Sequence, residues 1–235
     1  MKFLWQQIPS PLITEIFCSS SFDGVILDLE HGHFNNETLY SCIQTGTLMQ
    51  KKILARFAHL DRQKIRMCLD ANISGVILST VENSTQAEEF YNYCIYPPSR
   101  GEKGKGTRGQ GLVRENLWGE KKLTQRRPII IPQIETLKGV DSISSISKIN
   151  FDYYLVGPYD LSASLGDVGN LESPQFKSCM KKLEKIIGQK MGFHIPSKVN
   201  EKLKDFKNYP FLALGMDTTF IIEKINETVD ITQHD

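Results

Sequence analysis

The sequence predicts a (β/α)₈ barrel that forms a single domain over residues 1–235. Three observations lead there. Short apolar, β-branched runs alternate with amphipathic runs along nearly the whole chain. Eight candidates of each kind occur, and such alternation implies a parallel sheet covered by helices. Several strand runs also end on a carboxylate or guanidinium, which is where parallel α/β proteins place their chemistry. An open doubly wound sheet is the competing architecture.

The elements follow in order. Phe3–Trp5 reads as a strand, and Ser10-Pro11 then offers an N-cap and a first-turn proline for a helix over Pro11–Ser19. Gly24–Asp28 is a β-branched run, followed by an amphipathic helix over Glu37–Met49. Ile53–Arg56 precedes a helix over Asp61–Ala71, with Asp61 as a candidate cap. Gly75–Leu78 precedes a helix over Thr85–Tyr93, with Ser84 as its candidate cap. Pro128–Ile134 is the longest apolar strand and leads to a helix over Gly139–Ile149. Tyr153–Val156 stops at Gly157-Pro158, and Ser173-Pro174 opens a helix over Pro174–Gln189. Met191–His194 and Phe211–Gly215 are the last strands, with helices over Lys198–Phe206 and Thr219–Thr228.

Composition narrows the function classes. An apolar fraction of 40% supports a sizeable core, and a net charge of +1 exerts no global pull on nucleic acid or membranes. Five cysteines, odd in number and without a CxxC pair, point to reduced thiols rather than a disulfide framework. The run MKFLWQQIPSPL is too briefly apolar for a signal peptide, and no run approaches the ~20 residues of a membrane span. The expectation is a cytoplasmic protein.

The alternation breaks between Tyr96 and Arg127, where glycines and basic residues cluster. Long structureless segments of this kind are usually functional loops. Gly104-Lys105-Gly106-Thr107-Arg108-Gly109 formally matches GxGxxG, but YPPSRGEK rather than a strand precedes it, which argues against a dinucleotide site. The basic residues could form a solvated loop or bind a small acidic substrate.

The chemistry-bearing strand ends are four. Phe22–His33 closes with Asp28, Glu30, His31 and His33, a set that could bind metal, move protons or form a satisfied polar network. Ile53-Leu54-Ala55-Arg56 ends in a guanidinium suited to clamp a carboxylate or an oxyanion. Ile129–Glu135 and Phe151–Asp160 each deliver one carboxylate past a strand, which suggests a metal held between Glu135 and Asp160. No lysine sits at a strand end as a Schiff-base nucleophile would.

LDLEHG (27–32), Arg56, YPP (96–98), QIE (133–135), GPYDLSASLG (157–166) and GFH (192–194) occur in this order. Together they resemble the class II pyruvate aldolases of the HpcH/HpaI family, from about Ile8 to Thr219. The resemblance implies a barrel, a hexamer with active sites near subunit boundaries, and a divalent cation: Mg²⁺, Mn²⁺ or Co²⁺. It makes Glu135 and Asp160 the metal ligands. It gives Gln133 and the backbone amides of Tyr159 and Asp160 to the substrate. His31 becomes the acid/base, Asp70 the residue that raises its basicity from across a subunit interface, and Arg56 the stabiliser of negative charge. Asp28 and Glu30 are expected to orient their neighbours.

This chain departs from the family in carrying Tyr159 where many relatives have a small residue, and in the register around Ser99–Gly104. The expected activity is cleavage or condensation of a 4-hydroxy-2-oxo acid, such as a 2-keto-3-deoxy sugar acid, to pyruvate and an aldehyde through a metal-stabilised enolate. The alternatives are a CoA-thioester lyase of the malyl-CoA or citryl type and a catalytically repurposed relative. The expected partner is a small 2-oxo acid, with no nucleic acid and no membrane.

Overall fold

The period-two alternation of each strand sends one set of side chains into a barrel and the other toward surrounding helices. The structure, a computed structural model, describes residues 1–97, 105–108 and 127–233. Among them, eight parallel strands close into a barrel in the order β1 to β8. The first half runs β1 (Lys2–Gln6), α1 (Pro11–Cys18), β2 (Gly24–Asp28), α2 (Asn36–Leu48), β3 (Lys52–Phe57), α3 (Arg62–Asp70), β4 (Gly75–Leu78) and α4 (Ser84–Cys94). The second half runs β5 (Ile129–Ile134), α5 (Leu137–Asp141), α6 (Ile143–Ile146), β6 (Tyr154–Val156), α7 (Pro158–Ser164) and α8 (Pro174–Ile187). It ends with β7 (Met191–Ile195), α9 (Val199–Phe206), β8 (Phe211–Met216) and α10 (Asp217–Gln233).

Two apolar clusters result. Phe3, Trp5, Ile26, Leu54, Ile77, Ile131, Leu155, Phe211 and Ala213 fill the barrel. The intervening residues, such as Val25, Leu27, Ile53, Val76 and Ile130, pack outward against Leu39, Ile65, Phe90 and Leu183 of the helices. Moving two residues toward the carboxyl end changes the chemistry of five inward rows. Trp5 leads to Gln7, Ile26 to Asp28, Leu54 to Arg56, Ile77 to Ser79, and Ile131 to Gln133. An apolar floor therefore carries a polar layer at the barrel mouth.

Several local expectations are corrected. The segment Gly139–Ile149 is not one helix. Ser142 closes α5 and opens α6, and Ser145 donates back to the Ser142 carbonyl at 2.8 Å. Serines compete for backbone groups in this way and weaken a continuous helix. The cap of α4 is Asn83, whose side chain accepts from the Gln86 N–H at 2.8 Å, and not Ser84. Asp61 and Ser173 cap as expected, while Ser10 makes no side-chain cap bond.

The helix α7 has no counterpart in the sequence reading, and it places Asp160 in its first turn. Most of the glycine-rich, basic stretch, including Gly104 and Gly109 of the GxGxxG match, Pro98 and Ser99–Lys103, lies outside the described residues. Arg108 is described and is no solvated loop cation. It is 3% exposed, lies 4.2 Å over the Tyr96 ring and donates to the Leu69 carbonyl at 3.2 Å. No described helix is long and apolar enough to cross a membrane.

Candidate active site

The polar layer assembles by strand register. Asp28 of β2 stands opposite Arg56 of β3, so carboxylate and guanidinium meet side by side. Arg56 Nε donates to Asp28 Oδ1 at 2.9 Å and a terminal nitrogen to Oδ2 at 2.8 Å. Two parallel charge-assisted bonds fix the guanidinium plane. Its other terminal nitrogen lies 2.8 Å from Glu30, and its carbon sits 4.7 Å over the Trp5 ring. Trp5 Nε1 and Gln7 Nε2 donate to Asp28 Oδ2 at 3.0 and 3.1 Å. Burial raises the Asp28 carboxyl, but the bonds and charge of Arg56, with Trp5 and Gln7, outweigh it and hold the group down at about 2.

The second carboxylate is built differently. Glu135 follows β5 and is 4% exposed. Its Oε1 accepts from the Thr80 N–H at 2.8 Å and the Thr80 hydroxyl at 2.7 Å, and Gln133 Nε2 donates to Oε2. Thr80 has φ +52, which is strained for a β-branched residue; its two bonds to Glu135 help hold that conformation. Burial pushes the Glu135 carboxyl up to about 7. The Thr80 bond opposes this, the Asp160 and Glu30 charges add to it, and Arg56 offsets part of it. A Cβ on Gly157 would lie 2.6 Å from Glu135 Oε2 and 2.8 Å from Gln133 Nε2, so only glycine leaves this carboxylate room.

Arg56, Gln133 and Gly157 line a cavity of about 360 Å³ at the carboxyl ends of the strands, and Glu135 lies against Gln133 and Gly157 of that lining. His31, Arg56, Gln133, Tyr159 and Asp160 line it together. His31 is exposed, in the turn after β2, and its backbone N–H donates to Asp28 Oδ1 at 3.3 Å. Glu30 accepts from the Ser79 hydroxyl at 2.6 Å. Tyr159 is 38% exposed at the rim and its hydroxyl accepts from Lys202 Nζ at 3.3 Å, so its ring leans toward α9 and does not plug the mouth.

Asp70 is not brought to this cavity. It ends α3, at the opposite end of the barrel from His31, and lies 4.0 Å from Arg66 and 3.9 Å from Arg108. Trp5, Gln7, Ser79, Thr80 and His194 belong to the site or its support but were not singled out as site residues in the sequence. Extending the inward rows of β1 and β4 by two residues would have found Gln7 and Ser79, and His194 already ends the strand read over Met191–His194. Thr80 has no such signal, because only the fold brings it to Glu135.

The donor set suits a hard cation. Among the described residues no group of three or more His, Cys, Asp or Glu is arranged to hold a metal. Glu135 and Asp160 form a pair, with Glu30 close enough to raise the Glu135 carboxyl. Gln133 Oε1 is buried with no hydrogen-bond partner among the described residues. A carboxylate raised by its acidic neighbours, beside an orphan acceptor oxygen, fits a divalent cation and its water.

Residues 2–222 match the model of a family described as HpcH/HpaI aldolase/citrate lyase. The chain is 27% identical over 234 residues to the 4-hydroxy-2-oxo-heptane-1,7-dioate aldolase of Escherichia coli, covering 93% of this chain and 85% of that protein. It is 25% identical over 233 residues to a hydroxypyruvate/pyruvate aldolase of Chromohalobacter salexigens, covering 96% and 90%. A solved HpcH/HpaI aldolase/citrate lyase family protein of Burkholderia cenocepacia superposes with a TM-score of 0.85 at 18% identity, over 99% of this chain and 94% of that one.

Proposed function

Because the chain belongs to the HpcH/HpaI aldolase/citrate lyase family and is a carbon–carbon lyase, we propose that it cleaves or forms a 4-hydroxy-2-oxo acid, with pyruvate and an aldehyde as the other side of the reaction. The observation that carries this reading is the buried Glu135 beside Asp160. An acid that burial and neighbouring charge keep protonated up to about 7 is poised to exchange its proton for a cation. The names of the two aldolase relatives, both acting on 2-oxo acids, support the substrate class.

Glu135 and Asp160 would hold the divalent cation, which when bound supplies Lewis-acid stabilisation of negative charge on a substrate oxygen. The chain's own groups do the rest. Gln133 and the first backbone amides of α7, at Tyr159 and Asp160, orient the carboxylate end of pyruvate. Arg56 offers a fixed positive charge at the cavity wall, where charge developing on the substrate oxygens is met without reorganisation. His31 faces the same space and moves the proton of the 4-hydroxyl, since an imidazole exchanges protons near neutral pH. Asp70 would act on the His31 of a neighbouring copy of the chain, in keeping with its distance from the His31 of its own.

The test is pyruvate release from a panel of 2-keto-3-deoxy acids, followed by coupling to lactate dehydrogenase. EDTA abolishes the activity and Mn²⁺ or Mg²⁺ restores it. Full activity of metal-free protein, or of Glu135→Ala, sinks the reading. Release of a 2-oxo acid only from CoA thioesters would support the malyl-CoA or citryl type of lyase instead.

A further inference from the structure

The inward row of β7 ends at the cavity on His194, a residue the proposed chemistry does not use. Its strand neighbours Phe193 and Ile195 pack outward under the helices, which turns the imidazole into the barrel. It therefore belongs to the same polar layer as Asp28, Arg56, Ser79 and Gln133. Each of those side chains donates or accepts a hydrogen bond within the protein. His194 Nε2 is buried and has no partner among the described residues. Buried polar atoms are seldom left so, because each costs the solvation it gave up.

The ring is also not free to satisfy itself. It stacks on Trp5 at 4.2 Å with 18° between planes, and Trp5 is held by its own bond to Asp28. Burial, with the Arg56 charge in the same direction, holds the imidazole down at about 3 against a smaller opposing pull from Asp28. At working pH it is neutral, with one N–H and one lone pair. Such a group can donate to or accept from a hydroxyl without bringing a charge into the barrel.

Position narrows the choice. Gln133 and the Gly157–Asp160 segment, with Glu135 packed against them, occupy the β5–β6 side of the cavity. His194, Pro196, Ser197, Met216 and Thr219 form its β7–β8 wall. That wall is the space left for the part of the substrate beyond pyruvate.

We infer that His194 is a specificity-determining residue whose imidazole hydrogen-bonds a hydroxyl or carbonyl oxygen on the aldehyde half of the substrate, so that hydroxylated aldehydes are favoured over alkyl aldehydes of equal size. The inference rests on the pyruvate aldolase reading above.

Glycolaldehyde and propionaldehyde form a matched pair, differing by a hydroxyl in place of a methyl group. Each is condensed with pyruvate by the Mn²⁺-loaded protein, and kcat/KM is compared among wild type, His194→Leu and His194→Gln. Exchange of the pyruvate methyl protons in deuterated water, without aldehyde, reports separately on the pyruvate end of the site. Wild type favours glycolaldehyde about tenfold or more. His194→Leu loses that preference through the KM for glycolaldehyde, and His194→Gln keeps part of it.

A wild type with no preference overturns the inference, and so does a ratio unchanged in His194→Leu. If His194→Leu does not fold, the wild-type ratio and His194→Gln decide. A wild type that exchanges no pyruvate protons and condenses neither aldehyde overturns the aldolase reading, and this inference falls with it.

Discussion

Arg56 grips Asp28 through two parallel bonds of 2.9 and 2.8 Å, both side chains buried at the end of adjacent strands. The pair has two consequences. It lowers the cost of burying a guanidinium in the barrel mouth, and it fixes the plane in which that guanidinium meets a substrate.

Asp28→Asn is therefore predicted to cost about 3–5 kcal/mol, the usual effect of leaving one buried charge unpaired. Urea denaturation measures it. The pH dependence has a defined sign. The folded-state carboxyl is depressed to about 2, so its contribution is present above the ordinary carboxylate value of ~3.9 and is lost as pH falls through about 2. Acid unfolding of wild type deepens across that window, and the deepening is smaller in Asp28→Asn. An unchanged acid limb in the variant would refute this account of the pair.

Glu135 behaves in the opposite sense. Its folded-state carboxyl is raised to about 7, so in metal-free protein its contribution is present below the ordinary ~4.3 and is lost as pH rises through about 7. A cation must displace that proton. Mn²⁺ affinity is predicted to rise roughly tenfold per pH unit below about 7 and to level off above it. Calorimetric titration at several pH values checks this, with Glu135→Gln as the variant that binds weakly throughout. A flat affinity between pH 5 and 7 in wild type would exclude the proton exchange.

Asp70 offers a test of assembly. Its place at the far end of α3 removes it from the His31 of its own chain. If it serves a neighbour's site, His31→Ala and Asp70→Ala proteins are each weak alone. Co-expressed, they recover activity at about a quarter of the sites by random pairing. Mixed oligomers that stay as weak as their parents would confine Asp70 to its ion pairs with Arg66 and Arg108.

How much of this was legible in the sequence depended on how local the signal was. The strand at Gly24–Asp28 agrees to the residue, because a β-branched run bounded by glycine and a charge needs no tertiary information. The helix α7 was missed because GPYDLSAS begins with turn residues and spans less than two turns, too short for a periodic pattern. Asn83 and not Ser84 caps α4, a distinction residue type does not make, because both types cap helices and only backbone geometry separates them.

The residues lining the cavity were legible as strand-end charges and as a resemblance. Their states were not. Neither the about 7 of Glu135 nor the about 2 of Asp28 can be read from residue type, since each follows from burial set against the neighbours that register supplies.

The sequence by itself determined the alternation of strands and helices, the family, and the strand ends that carry chemistry. These depend on periodicity and on residues close along the chain. Only the tertiary structure decided that Thr80 holds Glu135, that Arg108 is buried and Asp70 remote, and that His194 stacks on Trp5 with its Nε2 unbonded among the described residues. Barrel closure sets those distances, because it brings together side chains that nothing in their sequence spacing connects.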